Sequence, residues 1–188
     1  MQEFKYRNIT VSGKIAVGTS TLSKHLKQIL GWQYINTGEL QRQYDRQHGI
    51  DENQQGAVAR PDSHEREMEA MAQKILTQKQ HIIYEAWLSG FVSRDIEGVL
   101  KVLVICSDEA VRIDRVVNRD NMTIMDAKRY IRARESENID KWQKLYGNYD
   151  FWDPKYYDLV IDTYASGQLE TVGRVLDKLG YKGSIKIT

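Results

Sequence analysis

At 188 residues with 41% hydrophobic content, the chain can bury an ordinary core and is close to the length of one domain. A formal net charge of +1 excludes an overall basic or acidic character as a reason to bind nucleic acid or a membrane, so charged partners must be met by local clusters. The single cysteine excludes an internal disulfide and a cysteine-based zinc cage, no run approaches the roughly 20 apolar residues of a membrane span, and MQEFKYRN is too polar for a signal peptide, so a reducing, cytoplasmic setting is expected.

The first predicted strand, Ile9 to Ser12, runs into a loop closed by Gly18 and then into the helical pattern TSTLSKHLKQIL, with Leu22, Leu26, Ile29 and Leu30 at helical spacing. Gly13 and Gly18 have the spacing of a phosphate-binding loop, and the strand–loop–helix context is the one such a motif requires. Glycine permits backbone conformations in which successive N–H groups point at phosphate oxygens, and the helix start adds its own donors. Gly13, Lys14, Ile15, Ala16, Val17, Gly18, Thr19, Ser20 and Thr21 are therefore the candidate ATP-binding residues. Thr19 stands where such loops carry lysine, and no threonine can neutralise an outer phosphate. Lys14 either replaces that cation or extends into solvent. Ser20 holds the hydroxyl position that contacts magnesium in these loops. Ile15 and Val17 either narrow the cradle or face the core.

The second strand, Tyr34 to Asn36, opens into TGELQR, where Thr37, Gly38 and Arg42 can hold a second phosphate group at a helix start. Beyond it lies the polar stretch ENQQGAVARPDS, expected to be a mobile insertion, with Arg60, Asp62 and Arg66 as further candidates for an acceptor site. Met68, Met71, Ala72 and Ile75 have helical spacing, the methionines as core filler. The third strand, Ile82 to Glu85, ends on a carboxylate that could order magnesium-bound water, accept a proton from the acceptor, or pair with a cation. The fourth, Val102 to Cys106, places Cys106 among apolar neighbours as a buried, inert thiol.

Arg112, Arg115 and Arg119 recur at i, i+3 and i+7, so one helix presents all three on one face, and Arg129 and Arg132 share a face of the next. A clustered cation surface suits phosphoryl transfer, whose transition state spreads negative charge over the moving group. The turn NRDNMT between the two helices is a plausible hinge. The aromatic-rich KWQKLYGNYDFWDPKYYD mixes acids with its lysines, so Trp142, Tyr146, Trp152 and Tyr157 are expected to pack against the sheet rather than read nucleic acid. Asp158 to Asp162 is the fifth strand, Asp153 and Asp162 are structural caps, and the four histidines share no metal-like spacing. Continuous apolar strands alternating with helices give one α/β domain over residues 1–188, a five-stranded parallel sheet flanked by helices.

Taken together, ITVSGKIAVGTSTLSKHL, NTGELQRQ, IIYEAWLSG, RARESENIDKWQKLYG and YYDLVIDT resemble the archaeal-type cytidylate kinase family in nearly the whole chain and in the right order. Members of that family also carry threonine in place of the loop lysine. The resemblance implies a P-loop kinase fold with a helical lid over 112–146 and an acceptor-binding insertion over 38–80. It implies magnesium-dependent transfer of the terminal phosphoryl group of ATP to a nucleoside monophosphate, CMP or dCMP above others. It also implies Arg42 on the acceptor phosphate and Arg119, Arg132 and Arg134 as catalytic residues, to which the positions of Ser20 and Glu85 add a metal pair and Glu85 a further catalytic candidate. Where the family reads Glu-Gly-Arg, this chain has Glu85, Ala86 and Trp87, so an indole replaces an arginine and either stacks on a base or packs on a neighbouring helix. A nucleotide-binding module with little kinase activity, or a kinase for another small acceptor, is the alternative.

Overall fold

A computed structural model describes residues 3–50 and 57–184. Positions 52–56 of the expected mobile insertion lie outside the described residues. The strands are β1 (Asn8–Ser12), β2 (Gln33–Asn36), β3 (Ile82–Glu85), β4 (Val99–Ile105) and β5 (Leu159–Asp162). The helices are α1 (Thr19–Leu30), α2 (Thr37–Gln47), α3 (Asp62–Gln78), α4 (Ser89–Val92), α5 (Glu109–Asp120), α6 (Ile124–Tyr146) and α7 (Gln168–Leu179). All five strands are parallel in the order β2-β3-β1-β4-β5, the open α/β arrangement expected from strands buried on both faces.

The order puts β1 at the centre, between β3 and β4, with every residue from Asn8 to Ser12 buried. Ligands of such sheets bind beyond the carboxyl ends of the strands where the order reverses. That crevice lies between the ends of β1 and β3, and it is where Gly13 and Glu85 emerge. On one face Leu22 and Leu26 of α1 and Val172, Val175, Leu176 and Leu179 of α7 close over Ile9, Val11, Val102, Val104 and Ile161. On the other, Ala72 and Leu76 of α3 pack on Ile82 and Tyr84. The hairpin of α5 and α6 buries Ile113, Val116, Ala127 and Ile131 around Ile15, so the loop after β1 is itself part of a hydrophobic contact.

The aromatic segment packs, but around α4 rather than flat on the sheet. Trp142 and Phe151 close on Leu88 and Phe91, with Trp152 and Tyr156 at the margin. β4 starts three residues earlier than the apolar run suggests, because Val99 is already paired with Asn8 of β1. It also stops at Ile105, which leaves Cys106 half-buried beyond the strand, its Sγ 3.5 Å from the Asp108 carbonyl, instead of in the core. Met68 and Met71 are likewise only half-buried, the α3 core positions being Ala72 and Leu76. Thr123 caps α6 by accepting from Asp126 N, and Asn121, left-handed at φ 52°, ends α5, so the expected hinge turn is capped on both sides.

Candidate active site

The loop from Gly13 to Gly18 curls at the carboxyl end of β1. A Cβ on Gly13 would lie 2.6 Å from the Val104 carbonyl and from the Val17 side chain, so only glycine fits where the loop turns under the sheet. Gly18 precedes α1 at φ 102° and offers no side-chain cap, so the first turn of α1 keeps its amides turned outward. The backbone N–H groups from Lys14 to Gly18 donate to no protein acceptor among the described residues. Such converging donors fit phosphate oxygens. Val17 is 3% exposed and joins the main core, and Ile15 is 8% exposed and joins the hairpin core, so the bulky side chains face away from the cradle.

Glu85, at the end of β3, faces the start of α1. Its Oε1 accepts from Thr19 Oγ1 at 2.8 Å and from Ser20 Oγ at 2.6 Å. Its Oε2 accepts from the Tyr34 hydroxyl, and Asn36 Nδ2 lies 3.0 Å from that hydroxyl and 3.4 Å from Oε2. Burial, and then the Glu85 carboxylate, push the Tyr34 phenol well above its ordinary pKa, so Tyr34 stays a proton donor. Ser20 and Glu85 thus present hydroxyl and carboxylate oxygens side by side, the hard-oxygen donor set that suits magnesium. Tyr34 and Asn36, which sequence reasoning missed in this role, fix the orientation of Glu85. Their one local signal is their alternate spacing on β2, with Asn36 in register with Glu85.

These groups open into a cleft of about 820 Å³. Its walls include the loop, Asn36, Thr37, Gly38 and Arg42 at the start of α2, and Arg119 and Arg134 from the α5–α6 hairpin. Arg42, Arg119 and Arg134, distant in sequence, therefore border one space. Arg119 is half-exposed and forked onto Asp120 at 2.8 and 2.6 Å, and Arg134 lies over the Tyr130 ring. Arg132 is exposed and absent from the cleft wall, because two positions along α6 turn it to the far face from Arg134. Arg112 and Arg115 turn back onto loop carbonyls rather than forming one open cation face with Arg119. Lys14 borders the cleft with its Nζ 4.8 Å from the centre of the Trp152 ring, packed on an indole rather than extended into solvent.

Trp87 packs edge-on against Trp142 at 5.6 Å and borders the cleft, its carbonyl accepting from Trp152 Nε1 at 3.1 Å. Of the further acceptor candidates, Arg60 borders the cleft, with its guanidinium bonded to Asp45 at 2.9 Å and Glu65 at 3.0 Å. Asp62 lies 3.4 Å from Lys141, and Arg66 is exposed. Asp153 and Asp162 accept backbone amides as caps, the latter from Ser107 and Tyr164.

Comparison with known proteins bears on the family and the fold. The model of the cytidylate kinase-like family matches residues 8–165. A protein of Methanothrix thermoacetophila named cytidylate kinase is 33% identical over 155 residues, 82% of this chain and 87% of its own length. A crystal structure from Eubacterium ventriosum, 11% identical, superposes at a TM-score of 0.72 over 94% of this chain and 99% of its own. A gluconokinase from Sinorhizobium meliloti, 15% identical, superposes at 0.60 over 95% and 94%. At those identities the two structures bear on the fold alone.

Proposed function

This chain belongs to the cytidylate kinase-like family of P-loop kinases, and on that premise we propose that it transfers the terminal phosphoryl group of ATP to a nucleoside monophosphate, CMP or dCMP first, giving the diphosphate and ADP. The observation that carries the reading is the meeting in one cleft of an amide cradle, the Ser20–Glu85 oxygen pair and arginines from α2, α5 and α6. The cradle binds the donor phosphates through backbone N–H groups, which the loss of the loop lysine leaves in place. Thr37, just before the insertion over 38–80, and Gly38 and Arg42 within it orient the acceptor phosphate. Arg119 and Arg134, on the α5–α6 lid, stabilise the charge that spreads over the transferring group. Closure of the lid excludes water from the reaction, while Arg132, on the far face of α6, stays outside the cleft. Ser20 and Glu85 would hold magnesium, which would supply positive charge against the donor phosphates.

The test is ADP formation from Mg·ATP with a panel of CMP, dCMP, UMP, AMP and GMP. Product that depends on the added monophosphate, greatest with CMP or dCMP, is expected. A folded protein that gives no product above background with any of them overturns the reading. A second reading, a nucleotide-binding module with little turnover, is favoured by Trp87 at the place of the family's arginine, since an indole offers neither a charge nor a fork of donors. Binding of Mg·ATP without monophosphate-dependent turnover would select it.

A further inference from the structure

We propose that Arg112, Arg115 and Thr163 are positioning residues for the phosphate cradle: they tie three successive loop carbonyls outward and so aim the next three amides at the triphosphate. They thereby do by backbone geometry part of what the absent lysine would do by charge. Resting on the reading of this loop as the donor site, the assignment gives these three residues a task that neither family resemblance nor sequence spacing supplied.

Three hydrogen bonds carry it. Arg112 Nε donates to the Ile15 carbonyl at 3.0 Å, Arg115 Nη1 to the Ala16 carbonyl at 3.1 Å, and Thr163 Oγ1 to the Val17 carbonyl at 2.7 Å. In a planar trans peptide the C=O of one residue and the N–H of the next point in opposite directions. Holding the carbonyls of residues 15, 16 and 17 on one side therefore turns the amides of Ala16, Val17 and Gly18 to the other. Those three amides find no protein acceptor among the described residues. Convergence also requires a left-handed step, and Ala16 supplies one at φ 59°. An alanine keeps that conformation only where its surroundings hold it, and the guanidinium on its own carbonyl is the nearest such hold.

The clamp is itself braced. Arg115 forks, its Nη1 also reaching Thr163 Oγ1 at 3.0 Å and its Nη2 the Thr163 carbonyl at 3.3 Å. Arg112 pairs with Glu135 of α6. Only a planar fork of donors can engage the loop and the end of β5 together, so lysine would not replace Arg115. α5 is thus bonded to the cradle at its first two turns, while Arg119 on its last turn borders the cleft.

The experiment measures the affinity of Mg·ATP and of inorganic tripolyphosphate, which has no base or sugar, for the wild type, Arg115→Gln, Arg115→Lys, Thr163→Val and Thr163→Ser. Folding is checked by circular dichroism and loop geometry by the amide resonances of Ala16, Val17 and Gly18. Thr163→Val and both Arg115 variants should weaken tripolyphosphate and ATP by the same factor, about tenfold, the scale of a lost hydrogen bond within a network. The three amide resonances should move in the ligand-free protein, and Thr163→Ser, which restores the hydroxyl, should bind as the wild type does. Folded Thr163→Val with wild-type tripolyphosphate affinity and unmoved resonances would overturn the proposal. An Arg115→Lys protein as good as the wild type would show a charge contact instead of a clamp, and would also overturn it. A wild type that binds neither ligand would instead overturn the donor-site reading beneath it.

Discussion

Thr19 Oγ1 lies 2.8 Å from Glu85 Oε1, so the residue at the place of the customary loop lysine is hydrogen-bonded to the carboxylate at the end of β3. Glu85 is 7% exposed and already accepts from Ser20 and Tyr34. An ammonium introduced by Thr19→Lys would meet this nearly buried carboxylate before any phosphate, and a buried pair of that kind is held strongly. Thr19→Lys is therefore expected to lower kcat by about tenfold or more, roughly 1.4 kcal/mol of barrier, in a monophosphate-dependent ADP assay. A large gain in rate would mean that threonine is a defect here, and that Glu85 does not compete for the added charge.

Glu85→Gln keeps the shape of the side chain and an oxygen acceptor but removes the negative charge that would face magnesium. Loss of a preorganised charge partner at a phosphoryl-transfer site commonly lowers the rate by about 10²-fold or more. The expected signature is a fall in kcat with a raised magnesium requirement, read from rates across a magnesium titration. Chelation of the metal should stop the wild-type reaction. An unchanged magnesium titration for Glu85→Gln would assign the carboxylate to structure alone.

Three phenols, Tyr34, Tyr146 and Tyr157, have pKa values pushed well above the ordinary 10, in each case first by burial. Their folded pKa values lie above the unfolded value, so the folded chain keeps protons that the unfolded chain loses. The stability they contribute is fully present below about pH 10 and declines as pH rises above it. Urea denaturation at stepped pH should show a falling unfolding free energy from about pH 10 upward. In Tyr34→Phe the slope should lessen by the share of one proton, while activity falls because Glu85 loses the donor on Oε2. A slope identical to the wild type would mean that Tyr34 does not keep its proton in the folded state.

The parallel sheet, the glycine loop and Glu85 were legible in the sequence because each is a local pattern: a continuous apolar run, a fixed glycine spacing, a charge closing a strand. The partners of those groups were not. Thr163 bonds to Val17 across 146 positions, and Tyr34 reaches Glu85 across 51. Such pairings follow from strand order and from which element covers the loop, and no spacing in the chain encodes them. The arginines show the same limit. Helical periodicity puts Arg112, Arg115 and Arg119 on one side of α5, yet only packing reveals that the first two are consumed by loop carbonyls and the third borders the cleft. Arg60 is an acceptor candidate because charge in a polar stretch suggests a ligand; it does border the cleft, but its burial among acids, which no spacing shows, also gives it a structural task.

That task yields the last prediction. Arg60 is 4% exposed and bridges Asp45 of α2 and Glu65 of α3, whose side chains are 2% and 5% exposed. Trp142 Nε1 donates to the other oxygen of Glu65 at 3.3 Å, Lys141 of α6 donates to the Arg60 carbonyl, and Asn138 accepts from Ala57 N at 2.9 Å. One guanidinium thus sits where three helices meet. Arg60→Met fills a similar volume but leaves two nearly buried carboxylates without their cation, and breaking a buried pair from one side costs about 3–5 kcal/mol. Urea denaturation at neutral pH should show that loss. Asp45→Asn in the Arg60→Met background should recover part of it, since a neutral amide is cheaper to bury than an unpaired carboxylate. A double variant no more stable than Arg60→Met alone would show that packing of the long side chain, and not charge compensation, is what Arg60 provides.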